Sequence, residues 1–465
     1  MLKKLIYGFG KGNNMKIVIV GNGKIGFSLS HQLSKEGHDI VIIDSKNSAL
    51  RHSMDTQDVF CIEGNGVSKS VQIEAGVPNA DLLIAVTSFD EINIICCLIA
   101  KKLGAKHTIA RVRDPEYVRD LNFIRDELGL SMSINPELAA AQEIARILRF
   151  PSAMKVDFFA NNKVELIEYR IGEQCPLAGK ALYTLPGTFH VKILICAVQR
   201  NNQVIIPDGN FVLEVGDRIS ITSSPKEITA FFHAIGMVKQ KIKSVIIVGG
   251  GRISYYLALQ LLEMKMSVKI LELNEERCQT LAELLPKAMV LHADGSDQEV
   301  LMEEGIADTD AVVALTGLDE ENVVISMFAA SENVSKVITK INHLTLGTFL
   351  ERAGIDCAIT PNIIAANRIV HYVRAMQNSL GSNVEAMTKV VDNKVEALEF
   401  RVREKFRGKN IPLKDISLKK GLLIASIIRG GRLIFPGGND SIQVRDNVIV
   451  VTTRDGLQDL NDILQ

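Results

Sequence analysis

The sequence predicts an α/β protein with two tandem doubly wound parallel-sheet domains, each followed by a small α+β carboxyl domain. Three observations lead to this prediction. Short Val/Ile-rich runs alternate with helix-length segments, the whole pattern occurs twice, and the hydrophobic period changes in the second part of each copy. Length alone, at 465 residues, suggests about three domains. The duplication raises that number to four.

The duplication is visible as segments that recur at a nearly constant offset. The segment KIVIVGNGKIG at residues 16–26 recurs as SVIIVGGGRIS at residues 244–254. The segment DLLIAVT at residues 81–87 recurs as DAVVALT at residues 310–316. The second parts match as well, because NKVE occurs at residues 162–165 and again at residues 393–396. One unit of about half the chain is therefore present twice.

The first part of each copy predicts a parallel sheet. In the first copy the apolar runs lie near residues 16–20, 39–43, 59–62, 81–86, 107–112 and 131–134. Apolar strands separated by helices indicate a sheet that is covered on both faces. The second part, near residues 155–236 and 385–465, predicts alternating strands, turns and a short helix after Pro225. We place domains at residues 15–150, 151–237, 238–376 and 377–465, after an N-terminal extension of residues 1–14.

Composition excludes several classes of protein. A formal net charge of −1 gives no bulk electrostatic attraction to nucleic acid or to an anionic membrane. No apolar run approaches the roughly 18 residues of a membrane span, and the N-terminal apolar stretch is too short for a secretory signal. The seven cysteines form no CxxC pair and no metal-ligand spacing, which indicates a reducing cytosol and no metal site.

The strongest motif is Gly21-x-Gly23-x-x-Gly26, which follows a predicted strand and opens a predicted helix. That context is the fingerprint of a Rossmann-like dinucleotide site. Gly21 is expected to make the tight turn, Gly23 to let the backbone approach a pyrophosphate, and Gly26 to let the helix lie close to the sheet. The alternative is a strand–helix turn that happens to be rich in glycine.

Polar residues at the ends of later strands extend the candidate site, because open α/β sheets bind ligands at that edge. Asp44 is placed to accept hydrogen bonds from ribose hydroxyls, which favours NAD(H) over NADP(H). Asn65, Thr87-Ser88 and Arg111 follow the next strands. For Thr87 and Ser88 the alternative is an N-cap of the next helix, and for Arg111 it is a solvated or salt-bridged side chain. Asp90 is expected to cap or open that helix.

The second copy keeps most of this pattern with two departures. Gly249, Gly250, Gly251, Arg252 and Ile253 form the glycine loop, and Glu272, Asp294 and Thr316 are the polar residues at the strand ends. Ser254 replaces the third glycine, and Lys340 stands in the position of Arg111. We expect a different affinity or a different nucleotide in this second site.

The sequence offers no recognisable catalytic centre. None of the nine histidines recurs between the two copies, and His38 and His107 are expected in surface loops. No GxSxG, HExxH or GxxxxGK[ST] motif is present. A doubled ligand-binding unit without a catalytic set indicates a sensor. The alternative is an NAD-dependent oxidoreductase with an unrecognised substrate.

These residues resemble the family of Trk-type potassium-uptake regulatory subunits, which consist of two tandem regulator-of-potassium-conductance (RCK) units. The resemblance covers residues 15–465. It is carried by the GNGKIG and GGGRIS loops, by Asp44 and Glu272, by AVTSFDEIN at residues 85–93, and by ARVRDPEYVRD at residues 110–120.

The resemblance implies a soluble protein on the cytoplasmic face of the inner (plasma) membrane. It also implies a homotetramer that docks on a potassium-translocating membrane subunit and is controlled by NAD(H) and ATP/ADP. A regulator of a different cation transporter is the alternative. By residue match, the nucleotide sites are lined by Gly21, Asn22, Gly23, Lys24, Ile25, Gly26, Asp44, Asn65, Thr87, Ser88 and Arg111, and by Gly249, Gly250, Gly251, Arg252, Ile253, Glu272, Asp294 and Thr316.

Overall fold

The computed structural model describes residues 14–117, 127–149, 155–159, 164–201, 203–236, 241–342, 350, 355, 357–379, 384–390, 394–454, 457 and 459–465. Apart from Asn14, the predicted N-terminal extension lies outside these residues. The chain divides into two compact units. One comprises Met1–Pro136 and Asn362–Gly381, and the other comprises Glu137–Pro361 and Ser382–Gln465.

A six-stranded parallel sheet forms the centre of the first unit. Its strands are β1 (Lys16–Val20), β2 (Asp39–Asp44), β3 (Phe60–Glu63), β4 (Leu82–Ala85), β5 (His107–Arg111) and β6 (Met132–Ile134). The spatial order is β3-β2-β1-β4-β5-β6, and every pair is parallel. All six predicted strands are confirmed to within about one or two residues at their ends. This order is that of a Rossmann-like doubly wound sheet.

Helices cover both faces of this sheet because its strands are apolar on both sides. They are α1 (Lys24–Lys35), α2 (Asn47–Thr56), α3 (Lys69–Glu74) and α4 (Asp90–Leu103). Alternate residues of β1 face opposite ways, so Ile17 and Ile19 pack in a cluster with Leu29 of α1, while Val18 packs in a cluster with Cys96 of α4. Cys96 and Cys97 are fully buried and pack as small apolar residues.

One face of the first sheet is also covered by a helix from far along the chain. Helix α12 (Pro361–Ser379) contributes Ala366, Ile369 and Val373 to the cluster that contains Ile17. Conversely, α5 (Pro136–Arg149) is grouped from Glu137 onward with the second unit. Each helix that follows a parallel sheet in sequence is thus grouped with the sheet of the other copy. The domain boundaries at 150 and 376 stay predictions.

His38 is not in a surface loop, contrary to the sequence-based expectation. It is 5 % exposed, and its Nδ1 accepts a hydrogen bond from the backbone N–H of Met15 at 3.2 Å. His107 is half-buried and begins β5. Burial is the largest influence on both imidazoles and lowers the pKa of each.

The second parallel sheet repeats the first. Its strands are β12 (Ser244–Val248), β13 (Ser267–Glu272), β14 (Met289–His292), β15 (Ala311–Ala314), β16 (Lys336–Lys340) and β17 (Ala358–Ile359), in the order β14-β13-β12-β15-β16-β17. Its helices are α8 (Arg252–Glu263), α9 (Glu275–Leu284), α10 (Gln298–Glu303) and α11 (Asp319–Ser331). The duplication read from the sequence is therefore a duplication of topology.

Each parallel sheet is followed in sequence by a small antiparallel one. The first has β7 (Lys155–Phe159), β8 (Val164–Arg170), β9 (Leu194–Arg200), β10 (Gln203–Ile205) and β11 (Arg218–Ser223), with helices α6 (Leu185–Phe189) and α7 (Pro225–Ala234). The second has β18 (Val384–Val390), β19 (Val395–Arg401), β20 (Leu422–Arg429), β21 (Arg432–Ile434) and β22 (Asn447–Thr452). Both have the same strand order. The predicted fold class is confirmed.

The two small sheets share one hydrophobic core. Leu166 of β8 and Cys196 of β9 pack in the same buried cluster as Ala397 of β19 and Val451 of β22. Each sheet uses its other face for its own core, for example Ile167 with Phe231 of α7. Burial of both faces explains why β8 and β19 are apolar or buried at nearly every position.

Candidate functional site

The candidate site of the first copy lies at the carboxyl edge of the first parallel sheet. The strand order changes direction between β1 and β4, and the glycine loop leaves β1 at that point. Asp44 ends β2, Asn65 follows β3, Thr87 and Ser88 follow β4, and Arg111 ends β5. Because the strands are parallel, these residues all lie at one edge of the sheet, where ligands bind in open α/β folds.

Two of the three glycines of the first loop are required by the surrounding structure, and the third leaves the loop accessible. Gly21 has φ +98°, and a Cβ there would lie 2.9 Å from the backbone N of Thr87. A Cβ on Gly26 would lie 1.9 Å from the carbonyl oxygen of Gly21, so helix α1 could not approach the loop as closely. Gly23 is exposed with open space around it, which leaves its backbone accessible to a phosphate.

Asp44 holds the glycine loop through its carboxylate. Its Oδ2 accepts a hydrogen bond from the backbone N–H of Asn22 at 2.7 Å, and its Oδ1 accepts one from Lys46 at 2.9 Å. Each carboxylate oxygen has two acceptor positions, so capacity for ribose hydroxyls remains. The buried Asn22 side chain donates to the carbonyl oxygen of Ala49 at 2.7 Å and to Ser53 Oγ at 2.8 Å, which fixes α2 beneath the loop.

Asn93 organises the other side of the site, although in the sequence it stood out only as the last residue of the segment AVTSFDEIN. Its Oδ1 accepts hydrogen bonds from the backbone N–H and the Oγ1 of Thr87, both at 2.8 Å. Its Nδ2 donates to the carbonyl oxygen of Arg111 at 2.9 Å. One fully buried amide therefore joins the ends of β4 and β5. The recurrence of Asn93 as Asn322 was the signal that could have identified it.

Asp90 does more than open a helix. It is the first residue of α4, and its Oδ2 accepts hydrogen bonds from the backbone N–H groups of Arg113 at 2.7 Å and Asp114 at 2.9 Å. Asp90 is 7 % exposed, so these bonds satisfy one oxygen of a buried carboxylate, and Arg113 Nε lies 3.5 Å from the other oxygen. The loop after β5 is thereby tied to the loop after β4.

The remaining predicted residues of the first site lie around the loops that Asp44, Asn93 and Asp90 hold in place. Arg111 donates through Nη2 to the carbonyl oxygen of Thr87, so its guanidinium lies at the binding edge. Ser88 is exposed, and Asn65 Oδ1 accepts from the backbone N–H of Val67 at 3.1 Å. Lys24 is exposed at the first turn of α1, where its charge is accessible to an anion.

The second site is built on the same plan. Gly249 has φ +97°, and the Oε atoms of Glu272 accept hydrogen bonds from the backbone N–H groups of Gly250 at 2.5 Å and Asn274 at 2.8 Å. Asn322 Oδ1 accepts from the backbone N–H of Thr316 at 2.7 Å, as Asn93 does in the first copy.

The departures in the second copy are accommodated locally. Ser254 is fully buried, and its Oγ donates to the carbonyl oxygen of Gly249. Lys340 Nζ donates to the carbonyl oxygen of Thr316, which is the same acceptor position that Arg111 uses in the first copy. Burial lowers the pKa of Lys340, against the opposing influence of Asp319 and Glu137.

The exposed members of the second site have their own local partners. Asp294 accepts hydrogen bonds from the side chain and backbone of Ser296, and these bonds lower the pKa of its carboxyl. Arg252 is exposed at the first residue of α8, whereas Ile253 is buried beneath the loop, as Ile25 is in the first copy.

The described residues contain no group of three or more His, Cys, Asp or Glu side chains that could hold a metal ion.

No helix in the described part of the chain is long and apolar enough to cross a membrane.

Among solved structures, the fold is similar to that of the GsuK channel bound to NAD, with a TM-score of 0.61 at 16 % identity over 97 % of this chain and 80 % of that chain. The crystal structure of the GsuK RCK domain gives a TM-score of 0.61 at 16 % identity, over 96 % of this chain and 94 % of that one. These similarities establish the fold.

Sequence comparison establishes the family. The TrkA-N domain matches residues 17–136 and 245–361, and the TrkA-C domain matches residues 166–236 and 397–465. The chain is 33 % identical over 444 residues to the Trk system potassium uptake protein TrkA homolog 1 of Methanosarcina mazei, covering 94 % of this chain and 97 % of that protein. It is also 33 % identical over 452 residues to the TrkA homolog of Archaeoglobus fulgidus, covering 97 % and 100 %. The chain therefore belongs to the TrkA family of Trk system potassium uptake proteins.

Proposed function

We propose that this protein is a nucleotide-sensing regulatory subunit that gates a potassium-translocating membrane subunit. The observation that carries the proposal is the pair of glycine loops, each at the switch point of a doubly wound sheet. A carboxylate at the end of the neighbouring strand, Asp44 or Glu272, holds each loop. This arrangement is suited to the pyrophosphate and ribose of a dinucleotide.

NAD(H) is the proposed ligand of the first site. The backbone at Gly23 and the N-terminus of α1 would receive the pyrophosphate, and Asp44 the ribose hydroxyls. A carboxylate at this position repels a 2′-phosphate, which disfavours NADP(H). ATP and ADP share the adenosine and phosphate groups that this edge can bind, so we propose that they compete for the nucleotide sites.

Regulation requires two states of the protein with different affinities for the nucleotide. A nucleotide shifts the equilibrium between the two states only by its differential affinity for them. It thereby also shifts the conformational equilibrium of a membrane partner that prefers one of these states. Thr87 and Arg111 connect the ends of β4 and β5 through Asn93. We propose that a nucleotide contacting this edge biases the position of the two loops. No catalytic turnover of the nucleotide is part of this mechanism.

Exposed apolar residues support assembly into the proposed homotetramer. Large hydrophobic side chains are exposed at the same repeat positions in both copies. They are Phe60 and Met289, Ile73 and Met302, Phe89 and Leu318, and Ile95 and Val324, each between 45 % and 64 % exposed. A conserved exposure across two diverged copies points to an interface rather than to scattered surface residues. We propose that other copies of this chain cover the faces around α4 and α11, at the cytoplasmic face of the membrane.

Titration of the full-length protein with NADH by isothermal calorimetry tests the proposal. We expect saturable binding, no loss of NADH absorbance at 340 nm across a panel of metabolites, and a tetramer by light scattering. Reconstitution with a Trk-type membrane subunit should give potassium flux that depends on the nucleotide. Failure to bind any adenine nucleotide would refute the proposal. NADH oxidation with a metabolite would instead support an oxidoreductase.

A further inference from the structure

The two glycine loops differ at one pair of contacting positions. In the first copy, the side chain of Asn22 donates a hydrogen bond to the carbonyl oxygen of Ala49 at 2.7 Å. In the second copy, Gly250 stands in the position of Asn22 and Arg277 in that of Ala49. The direction of the contact is reversed, because Arg277 Nε donates to the carbonyl oxygen of Gly250 at 2.7 Å. The loop stays tied to the following helix, but now through a guanidinium.

The second loop has no room for the side chain that the first loop carries. A Cβ on Gly250 would lie 2.6 Å from Leu281 Cδ1 and 2.9 Å from Glu272 Oε2. The contact must therefore come from α9. Arg277 lies in the first turn of that helix, and its backbone N–H donates to the N-cap Asn274 at 2.8 Å.

Arg277 brings to the loop a positive charge at the position where the first copy has the uncharged Ala49. Its bond to Gly250 uses Nε only, and its two terminal nitrogens have no hydrogen-bonding partner among the described residues. The side chain is half-buried. The donors of a guanidinium lie in one plane at fixed positions, so two of them can bind two oxygens of one phosphate. Both carboxylate oxygens of the neighbouring Glu272 already accept backbone hydrogen bonds.

We propose that Arg277 is a phosphate-binding residue of the second nucleotide site. It makes that site prefer adenine nucleotides that carry a terminal, dianionic phosphate group over NAD(H), whose two phosphates both lie inside the pyrophosphate bridge. The proposal rests on the proposed function, since it takes both loops as nucleotide sites. The terminal phosphate group has two sources: the last phosphate of ATP or ADP, and the 2′-phosphate of NADPH, for which the Arg277 guanidinium has to offset the repulsion by Glu272.

The test uses the full-length protein with the first site blocked. Gly23→Asp places a carboxylate in open space on the first loop, where it repels phosphate without a steric clash. Calorimetric titration of this variant with NADH, NADPH and ATP should show at least about tenfold tighter binding of NADPH or ATP than of NADH. Which of the two binds more tightly identifies the position of the terminal phosphate group.

Substitution of Arg277 should remove this preference. In the Gly23→Asp background, Arg277→Gln should bring the ratio of affinities towards one. Arg277→Lys should keep part of the preference, because lysine keeps the charge but cannot form the bidentate hydrogen bonds of arginine. Arg432→Gln removes an exposed arginine from β21 and should keep the ratio. An unchanged ratio in Arg277→Gln would show that the residue only holds the loop.

The preference should also be transferable. With the second site blocked by Gly251→Asp, the double change Asn22→Gly and Ala49→Arg should give the first site a preference for the nucleotide with a terminal phosphate group. Binding without any preference in the Gly23→Asp background overturns this inference alone. Loss of all nucleotide binding by the wild-type protein overturns the proposed function with it.

Discussion

The hydroxyl of Ser254 donates a hydrogen bond to the carbonyl oxygen of Gly249, five residues earlier in the second glycine loop. At the equivalent position of the first loop, a Cβ on Gly26 would lie 1.9 Å from the carbonyl oxygen of Gly21. The two copies therefore hold their loops at different distances from the helix that follows. The second copy replaces a close backbone approach with a side-chain bond.

This difference predicts the effect of exchanging the two residues. Gly26→Ser should displace the first loop, destabilise the first unit by about 1–3 kcal/mol, and weaken NADH binding there. Ser254→Gly should lower the free energy of unfolding by about 1 kcal/mol, because the hydrogen bond is lost and glycine gives the start of the helix more backbone freedom. Thermal unfolding and calorimetry of the two variants measure both effects. Gly23→Ala is the control for thermal unfolding, because its Cβ meets no protein atom within 4 Å. Equal, small effects for Gly26→Ser and Gly23→Ala would contradict the close approach.

A second prediction concerns the independence of the two sites. Gly23→Asp and Gly251→Asp both add a carboxylate in open space on a loop with ordinary backbone angles. Each should leave the melting temperature of the nucleotide-free protein nearly unchanged and remove one class of binding sites. The double variant should bind no adenine nucleotide. Full stoichiometry retained in either single variant would place the nucleotide elsewhere.

The ion pair between Arg374 and Glu36 predicts how firmly α12 is held on the first sheet. Arg374 Nε lies 3.0 Å from Glu36 Oε2, and a second bond joins Nη2 to Oε1. The two side chains are only 12 % and 21 % exposed. Arg374→Ala should lower the free energy of local opening of α12 by about 1–3 kcal/mol, seen as faster amide hydrogen exchange in that helix.

The matched control for this variant is a pair on the surface. Lys409 and Glu404 are 37 % and 80 % exposed, so Lys409→Ala should cost at most about 1 kcal/mol. Unchanged exchange of α12 in Arg374→Ala would mean that the apolar contacts of the helix alone hold it in place.

A buried carboxyl predicts part of the pH dependence of stability. Glu165 of β8 is 2 % exposed, and its Oε2 has no hydrogen-bonding partner among the described residues. Burial raises the pKa of Glu165 from 4.5 to about 7, although Arg149 opposes the shift. The folded state thus holds this proton more tightly than the unfolded state does. The stabilisation is complete below about pH 4.5 and is lost as the pH rises through 7.

Glu165→Gln removes this titration without changing the shape of the side chain. We expect a flatter dependence of the melting temperature on pH between 4.5 and 7, and a higher melting temperature than wild type at pH 8. Glu165→Asp keeps a carboxyl and should keep a pH dependence in the same direction. Identical profiles for wild type and Glu165→Gln would show that Glu165 is not protonated in the folded protein near neutral pH.

The repeated apolar surface predicts the effect of charge on assembly. Ile95 and Val324 lie at equivalent positions of α4 and α11 and are 45 % and 54 % exposed. Ile95→Asp combined with Val324→Asp should shift the proposed tetramer to smaller species, measured by light scattering. Met54→Asp, also on an exposed residue but without a large apolar residue at the repeated position, should leave the mass unchanged. An unchanged tetramer in the double variant would place the interface elsewhere.

Much of the fold was predictable because its determinants are local in sequence. Each strand of the first sheet is a short apolar run, and the turn Gly21-x-Gly23-x-x-Gly26 requires particular backbone geometry within six residues. Asp44 was identifiable because a fixed number of residues separates it from the loop. Asn93 and Arg277 were not singled out, because each acts on a segment that only folding brings near.

The sequence by itself determined the duplication, the doubly wound sheets and the two glycine loops, since these follow from periodicity and spacing along the chain. Tertiary structure decided that α12 covers the sheet of the first copy, that His38 is buried, and that Arg277 reaches the loop at Gly250. These features depend on contacts between residues that are 23 to more than 300 positions apart. No local pattern encodes such a contact, because it is the packing of whole elements that selects it.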